Sequence, residues 1–364
     1  MTNRELVFRA FDNETADRAP VGFWFHFLPE AETGDGLRDP GLWAGNLEGH
    51  RRFIEAARPD MVKIMSDGFF HYPVTAPPDR KPPDREPPDR EPPDRDSPNR
   101  TPLEKPADLE RLEALPPGHP WLARQAELVR AVTALVPDTP CFYNIFSPAT
   151  SLRFLLGRAR LLEWLTLHPE AVSGALTRMG QGLAALAESA IKAGGADGIY
   201  LSVQNPDSGR VTDENYARLI RPSDLAVLAA ANGAGGRNIL HICGYGGVRN
   251  RLAAWADYPA QAFSWAVHVE EVSLGRGKAL FGGRCVLGGF ANVPGSLLEV
   301  GARAEIEAFT ADLLAEAGSA GVILGADCTI PSSIDLERLE WVRLKAASLG
   351  GPAGRIRNCS DANS

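Results

Sequence analysis

The residues best equipped for chemistry in this chain are one histidine and two cysteines. His241-Ile242-Cys243-Gly244 closes one apolar run, and Gly325-Ala326-Asp327-Cys328 closes another. On a strand, residues i and i+2 face the same way, so His241 and Cys243 share a face while Ile242 takes the other. Imidazole and thiolate together suit zinc. H-x-C alone is a weak signal, and a structural histidine beside a core cysteine is the competing reading. A third ligand must come from another strand end. Cys141 and Cys285 begin their runs, which puts them at the far end of a strand, and Cys359 sits in a polar tail. Position therefore selects Cys328. Three protein ligands leave a fourth position open, where a substrate thiol would bind as a thiolate nucleophile. Hydrolysis by zinc-bound water is the alternative, although no H-E-x-x-H arrangement supplies a base.

These residues need elements that bring them together. Eight β-rich runs at 20–27, 61–65, 141–146, 198–203, 238–243, 262–267, 285–290 and 321–325 alternate with helical patterns. The runs are nearly continuous in apolar residues, as expected for parallel strands covered on both faces. Helices are expected at 4–11, 47–57, 122–135, 170–193, 213–230, 247–255, 302–317 and 336–349. Asp213 is expected to cap its helix, and Ser223 to cap a restart after Pro222. Strand and helix alternating eight times predict an α/β fold of the (β/α)8 TIM-barrel type. An open doubly wound sheet is the runner-up, but no G-x-G-x-x-G turn precedes a helix. Gly244-Tyr245-Gly246-Gly247 reads instead as a tight turn at the barrel mouth. Loops that follow strands lie on the active face of a barrel. Cys243 and Cys328 end non-adjacent runs, so they must meet across the mouth.

Composition narrows the function classes. The chain has 364 residues, 44% hydrophobic and 23% charged, with a net charge of −8. That is globular, and it argues against nucleic acid as a partner. No apolar run reaches the ~20 residues of a membrane span. The start, Met1-Thr2-Asn3-Arg4-Glu5, does not read as a signal peptide. Five cysteines, an odd and scattered set, fit a reducing, cytoplasmic setting. A unit Pro-Pro-Asp-Arg recurs through residues 77–100 without one large apolar side chain. It reads as a disordered, low-complexity loop insertion after the second strand, with a partner-binding arm as the sharper alternative. The expected organisation is one barrel domain from 1–76 and 101–352, the 77–100 insertion, and a polar tail at 353–364.

Other strand ends supply candidate pocket residues. His26 follows the first run, Asp67 the second, and Gln204 with Asn205 the fourth. These read as substrate contacts, against a wall histidine, a loop cap and a turn. Asp327 adjoins Cys328 as an acceptor behind the ligand. His268 and Glu270 after the sixth run read as a solvated edge. Arg153, Arg158, Arg160, Arg210, Arg249 and Arg251 are available to bind an anion, and the sequence does not show whether they converge.

The chain resembles the uroporphyrinogen decarboxylase superfamily over nearly its whole length outside the proline repeat. The opening from Arg4-Glu5 to Asp17-Arg18-Ala19-Pro20-Val21 looks like the family's start. Gly194-Gly195-Ala196-Asp197-Gly198 leads into a strand as in the family. His241-x-Cys243 followed by Cys328 is similar to the zinc motif of its corrinoid-dependent methyltransferase branch. The resemblance implies a zinc-dependent methyltransferase in which His241, Cys243 and Cys328 hold Zn2+. The acceptor would be a small-molecule thiol, the donor a methylcobamide that is free or carried on a corrinoid protein, and the assembly a homodimer. A decarboxylase acting on a carboxylated small molecule is the second reading, and a non-catalytic barrel holding a corrinoid or small ligand the third. In the decarboxylases proper an arginine-bearing segment holds the porphyrinogen carboxylates. Residues 22–30 contain no arginine, so that clamp is missing here.

Overall fold

The structure, a computed structural model, describes residues 1–29, 31, 34–75, 103–204 and 211–350. The proline insertion at 77–100, the tail at 353–364, Asn205 and Arg210 lie outside the described residues. Among the described residues seven strands form one sheet: β1 Val62–Ile64, β2 Cys141–Phe146, β3 Gly198–Val203, β4 Ile239–Ile242, β5 Ala262–Trp265, β6 Cys285–Phe290 and β7 Val322–Ala326. Each pairs in parallel with its sequence neighbour, in the order β1 to β7. Helices connect most of them, including Pro120–Thr133, Pro148–Leu156, Pro169–Lys192, Arg221–Gly233, Leu274–Leu280 and Arg303–Ala317, and Glu337–Gly350 follows β7. This curled parallel sheet is TIM-barrel-like. No helix among the described residues is long and apolar enough to cross a membrane.

The first expected strand, 20–27, is reduced to a single bridge. Val21 pairs in parallel with Leu324. Gly22 N–H donates to Leu324 O at 2.8 Å, Leu324 N–H to Pro20 O at 2.9 Å, and Asp60 N–H to Val21 O at 3.3 Å. Residues 20–22 thus lie between β7 and the chain entering β1. Beyond them the backbone has other partners. Ile330 N–H donates to Trp24 O, and the Asp67 carboxylate accepts from the N–H of Phe27 and Leu28.

The expected helix 213–230 is also divided. Thr212, not Asp213, caps its start by accepting Asn215 N–H. A π-turn, Tyr216–Ile220, intervenes before Arg221–Gly233, which carries Pro222 in its first turn. Proline has no N–H to continue the ladder, so the extra residue of the π-turn absorbs the break. Ser223 does not cap the restart; its hydroxyl donates back to Ile220 O at 2.7 Å. The expected helix 247–255 is only two short 3-10 turns, because Gly246 and Gly247 adopt φ of 66° and 70°.

The strand period sorts side chains into two layers. Outward residues such as Ile64, Tyr143, Leu201, Leu240, Phe263 and Val286 pack against the helices. Inward residues Met61, Phe142, Tyr200, Ile239, Ala262, Cys285 and Ile323 form a second cluster with Trp24, Met65 and Leu287. Val7, Ala10 and Phe11 of the helix Asn3–Phe11 join it. Continuing each inward row toward the carboxyl end by steps of two brings polar residues: Lys63 and Asp67, Asn144, Ser202 and Gln204, His241 and Cys243, Ser264. The register confirms it, since His241 lies opposite Ser202 on one side and Ser264 on the other. The barrel interior therefore changes from oily to polar along its axis.

Candidate metal centre

His241 is the inward residue near the end of β4, and Cys243 follows it by two. Cys328 lies two residues past β7. One side-chain donor atom from each of His241, Cys243 and Cys328 lies within 4.8 Å of the others. The two Sγ atoms are 4.0 Å apart, far beyond a disulfide bond. Two thiolates on a tetrahedral zinc with bonds of about 2.3 Å stand roughly 3.8 Å apart, so the gap fits an ion between them. His241 Nδ1 lies 3.1 Å from Ser264 Oγ, while its buried Nε2 has no hydrogen-bond partner. An Nδ1–H given to the serine leaves Nε2 basic and aimed for coordination. The donor set, the spacing and the orphaned nitrogen all suit a zinc-type cation.

The two cysteine sulfurs face each other. Cys243 donates to Cys328, which holds the Cys328 thiol well below the ordinary range, helped by His241 and Lys63. The same bond and burial push Cys243 well up, against a hydrogen bond from Gln204. The carbonyl of Cys243 accepts from Asn250 Nδ2 at 3.0 Å, and Asn250 in turn donates its N–H and amide to Glu270. Glu270 is thus buried and structural, not part of a solvated edge. The cysteines set aside by position, Cys141 and Cys285, are buried, and desolvation pushes both thiols up to about 12. They are inert.

Beside the centre lies an open pocket of about 90 Å³, lined among others by His26, Lys63, Asn144, Arg153, Gln204, Tyr245, Cys243 and Cys328. His26 Nδ1–H donates to Asp67 Oδ1 at 2.8 Å. Asp67 is fully buried and also takes Phe27 N–H at 2.7 Å, so its charge is held in place. Asp67 itself does not line the pocket; it stands behind His26. Gln204 borders the pocket with Oε1 unpartnered. Asp327 accepts from His268 Nδ1–H and N–H at 2.8 and 2.9 Å. That ties it to the short helix Val267–Glu270 after β5, with its Oδ1 unpartnered.

Two pocket residues carry weight that their positions in the sequence did not suggest. Lys63, buried in the middle of β1, sets its ammonium 4.0 Å from the Tyr200 ring centroid and 4.9 Å from that of Trp24. Burial pulls its pKa down to about 8, against the pull of Cys328, Cys243 and Asp67. Asn144 in β2 donates to Ser66 Oγ at 2.9 Å and leaves Oδ1 free. The signal was there: each is a polar residue at an inward position of an otherwise apolar run. Of the arginines, Arg153 alone among the described ones lines the pocket. Arg160 binds Leu103 O, Arg249 pairs with Glu271, and Arg251 with Asp213.

No curated protein matches the chain. Among solved structures, a methyltransferase from Methanosarcina mazei superposes with a TM-score of 0.72 at 18% identity, covering 96% of this chain and 99% of that one. A B12-independent methionine synthase from Shewanella sp. W3-18-1 gives a TM-score of 0.45 at 13% identity, covering 65% of this chain and 67% of that one. The first of these likenesses establishes the shared fold. At the level of sequence, the uroporphyrinogen decarboxylase (URO-D) family matches residues 90–346, most of the chain, and the protein belongs to that family.

Proposed function

We propose that this protein is a zinc-dependent methyltransferase that moves a methyl group from a methylated corrinoid to a small-molecule thiol. One observation carries the reading: His241, Cys243 and Cys328 converge at the polar end of the barrel with a metal-sized gap between the sulfurs. The name of the Methanosarcina structure agrees in reaction class. His241, Cys243 and Cys328 would hold the ion. When bound, zinc lowers the pKa of a coordinated thiol and supplies it as a thiolate.

The chain's own residues do the rest. Ser264 fixes the ring of His241. Gln204 and Asn250 position Cys243 from its side chain and its carbonyl. Turning S–H into S–CH3 would leave the electron pair of the broken carbon–cobalt bond on the corrinoid and release a proton, which His26, bordering the pocket, would take. Asp67 binds Nδ1–H, so Nε2 is the basic nitrogen of a residue that borders the pocket. Phe70, Phe146 and Phe154 give the pocket an apolar wall. The corrinoid, free or carried on a partner protein, would approach from the open side.

Metal analysis with a methylcobalamin-to-thiol assay tests the reading. The protein should bind one equivalent of zinc and methylate a thiol. Cys243→Ala and Cys328→Ala should each lose both properties while keeping the fold by circular dichroism. A metal-free preparation that is fully active, or zinc retained in both variants, refutes it.

A further inference from the structure

Lys63 stands in β1 among the inward residues of the barrel and is only 5% exposed. Its ammonium lies over the rings of Tyr200 and Trp24. The other groups that act on it are the charges of Cys328, Cys243 and Asp67, none of them through a hydrogen bond. Asp67 is already engaged by His26, Phe27 and Leu28. No Asp or Glu is among the residues lining the pocket, although the chain carries a net −8. A second cation, Arg153 in the helix Pro148–Leu156, borders the same pocket at 8% exposed. Its Nε and Nη2 have no hydrogen-bond partner, and it packs on the rings of Phe154 and Tyr245. Ring faces support a cation but offer its N–H groups no in-plane acceptor. A buried ammonium without an acceptor or a counter-charge weakens the fold. A side chain that costs stability and makes no internal bond serves the site and not the core.

Counting charges shows how. Two thiolates and a neutral imidazole offset a divalent ion, so zinc with His241, Cys243 and Cys328 carries no net charge. Lys63 then remains unbalanced. Lys63 and both sulfurs line one pocket, so a ligand that enters it meets the ammonium and the metal centre together. A neutral ligand on the ion leaves the ammonium uncompensated, whereas an anion pairs with it. We infer that Lys63 is the positioning charge of the metal centre, making the ion's open position select an anionic ligand over a neutral one. The inference extends the methyltransferase reading. There the anion is the bound sulfur after its proton has left, and Lys63 favours that state.

The test uses the intact chain loaded with cobalt(II), whose visible bands report what occupies the ion's open position. Azide is the anionic probe and pyridine the neutral one, both without any methyl donor. Lys63→Met should weaken azide by about tenfold or more and leave pyridine within about twofold, and Lys63→Arg, which restores a charge, should keep part of the azide affinity. A role in packing alone would move both probes together. Urea unfolding of the metal-free proteins supplies the second arm. Lys63→Met should be more stable than the wild type, because an apolar side chain replaces an unpaired ammonium. A Lys63→Met variant that is less stable, or does not fold, shows that the lysine is held for the fold and overturns the inference. An unchanged ratio of azide to pyridine affinity in a folded Lys63→Met overturns it too. A wild type that takes up no ion overturns this inference and the zinc reading together. Loss of methyl transfer with the azide preference intact would instead refute the methyltransferase reading alone.

Discussion

Asp224 offers a sharp test of the packing around the divided helix. Its carboxylate is buried in the helix Arg221–Gly233, where Oδ2 accepts from the hydroxyls of Tyr216 and Tyr258, each at 3.1 Å. The two hydroxyls are 2.7 Å from each other, and Oδ1 has no partner. Desolvation raises the carboxyl from its ordinary 3.8 to about 7, against the two tyrosine hydrogen bonds and the charge of Arg221. A folded pKa above the unfolded one means that the native state holds a proton the unfolded chain has released. Stability from this group is therefore fully present below the unfolded pKa near 3.8 and is lost as pH rises to about 7. At about 1.36 kcal/mol per pKa unit, the loss is on the order of 4 kcal/mol.

The wild-type curve alone will not display that loss. Burial pushes His50 down from 6.5 to about 4, so His50 contributes stability above its ordinary pKa that is lost as pH falls through the folded value. The two slopes oppose each other over much of the same range. The readout is therefore the difference between Asp224→Asn and wild type, in which His50 cancels. Urea unfolding of the metal-free protein, followed by tryptophan fluorescence, should show Asp224→Asn gaining about 4 kcal/mol on the wild type between about pH 4 and about pH 8. The amide resembles the protonated carboxyl and cannot ionise. Parallel stability curves for the two proteins across that range would refute the buried, protonated Asp224.

Three further tests probe how the site is supported. A Cβ at Gly277 would lie 2.1 Å from the Trp265 ring, which is buried and donates its Nε1–H to Val272 O, so Gly277→Ala should cost about 1–3 kcal/mol; an unchanged melting temperature would contradict that contact. Tyr143 donates to Gln125 Oε1 at 2.6 Å inside the core, and Tyr143→Phe should cost about 1–3 kcal/mol in urea unfolding by leaving that oxygen unpaired. Asp60 receives a two-pronged bond from Arg18, both prongs 2.6 Å, and also takes Val21 N–H at 2.8 Å. Asp60→Ala should cost about 3 kcal/mol and raise hydrogen exchange at Gly22 and Leu324, whose amides join residues 20–22 to β7; exchange unchanged there would show that this junction does not depend on Asp60.

The sequence determined by itself what depends on local periodicity and end-of-strand position. The two-residue spacing of His241 and Cys243 put them on one face because alternation is a property of the strand alone. Cys328 could be chosen over Cys141 and Cys285 because the start and end of a parallel strand lie at opposite ends of the fold. Family membership was legible for the same reason, since motif spacing survives without a structure. Tertiary structure alone decided what depends on distance through space. It brought Cys243 and Cys328, 85 residues apart, to 4.0 Å across the mouth. It reduced residues 20–27 from a strand to a single bridge, with Trp24 O bonded to Ile330 and the Phe27 amide to the Asp67 carboxylate instead of to a strand. It hid Glu270, engaged most of the arginines elsewhere and left Arg153 buried with idle donors. Charge and unmet hydrogen-bonding capacity depend on which groups share a cavity, and no spacing along the chain records that.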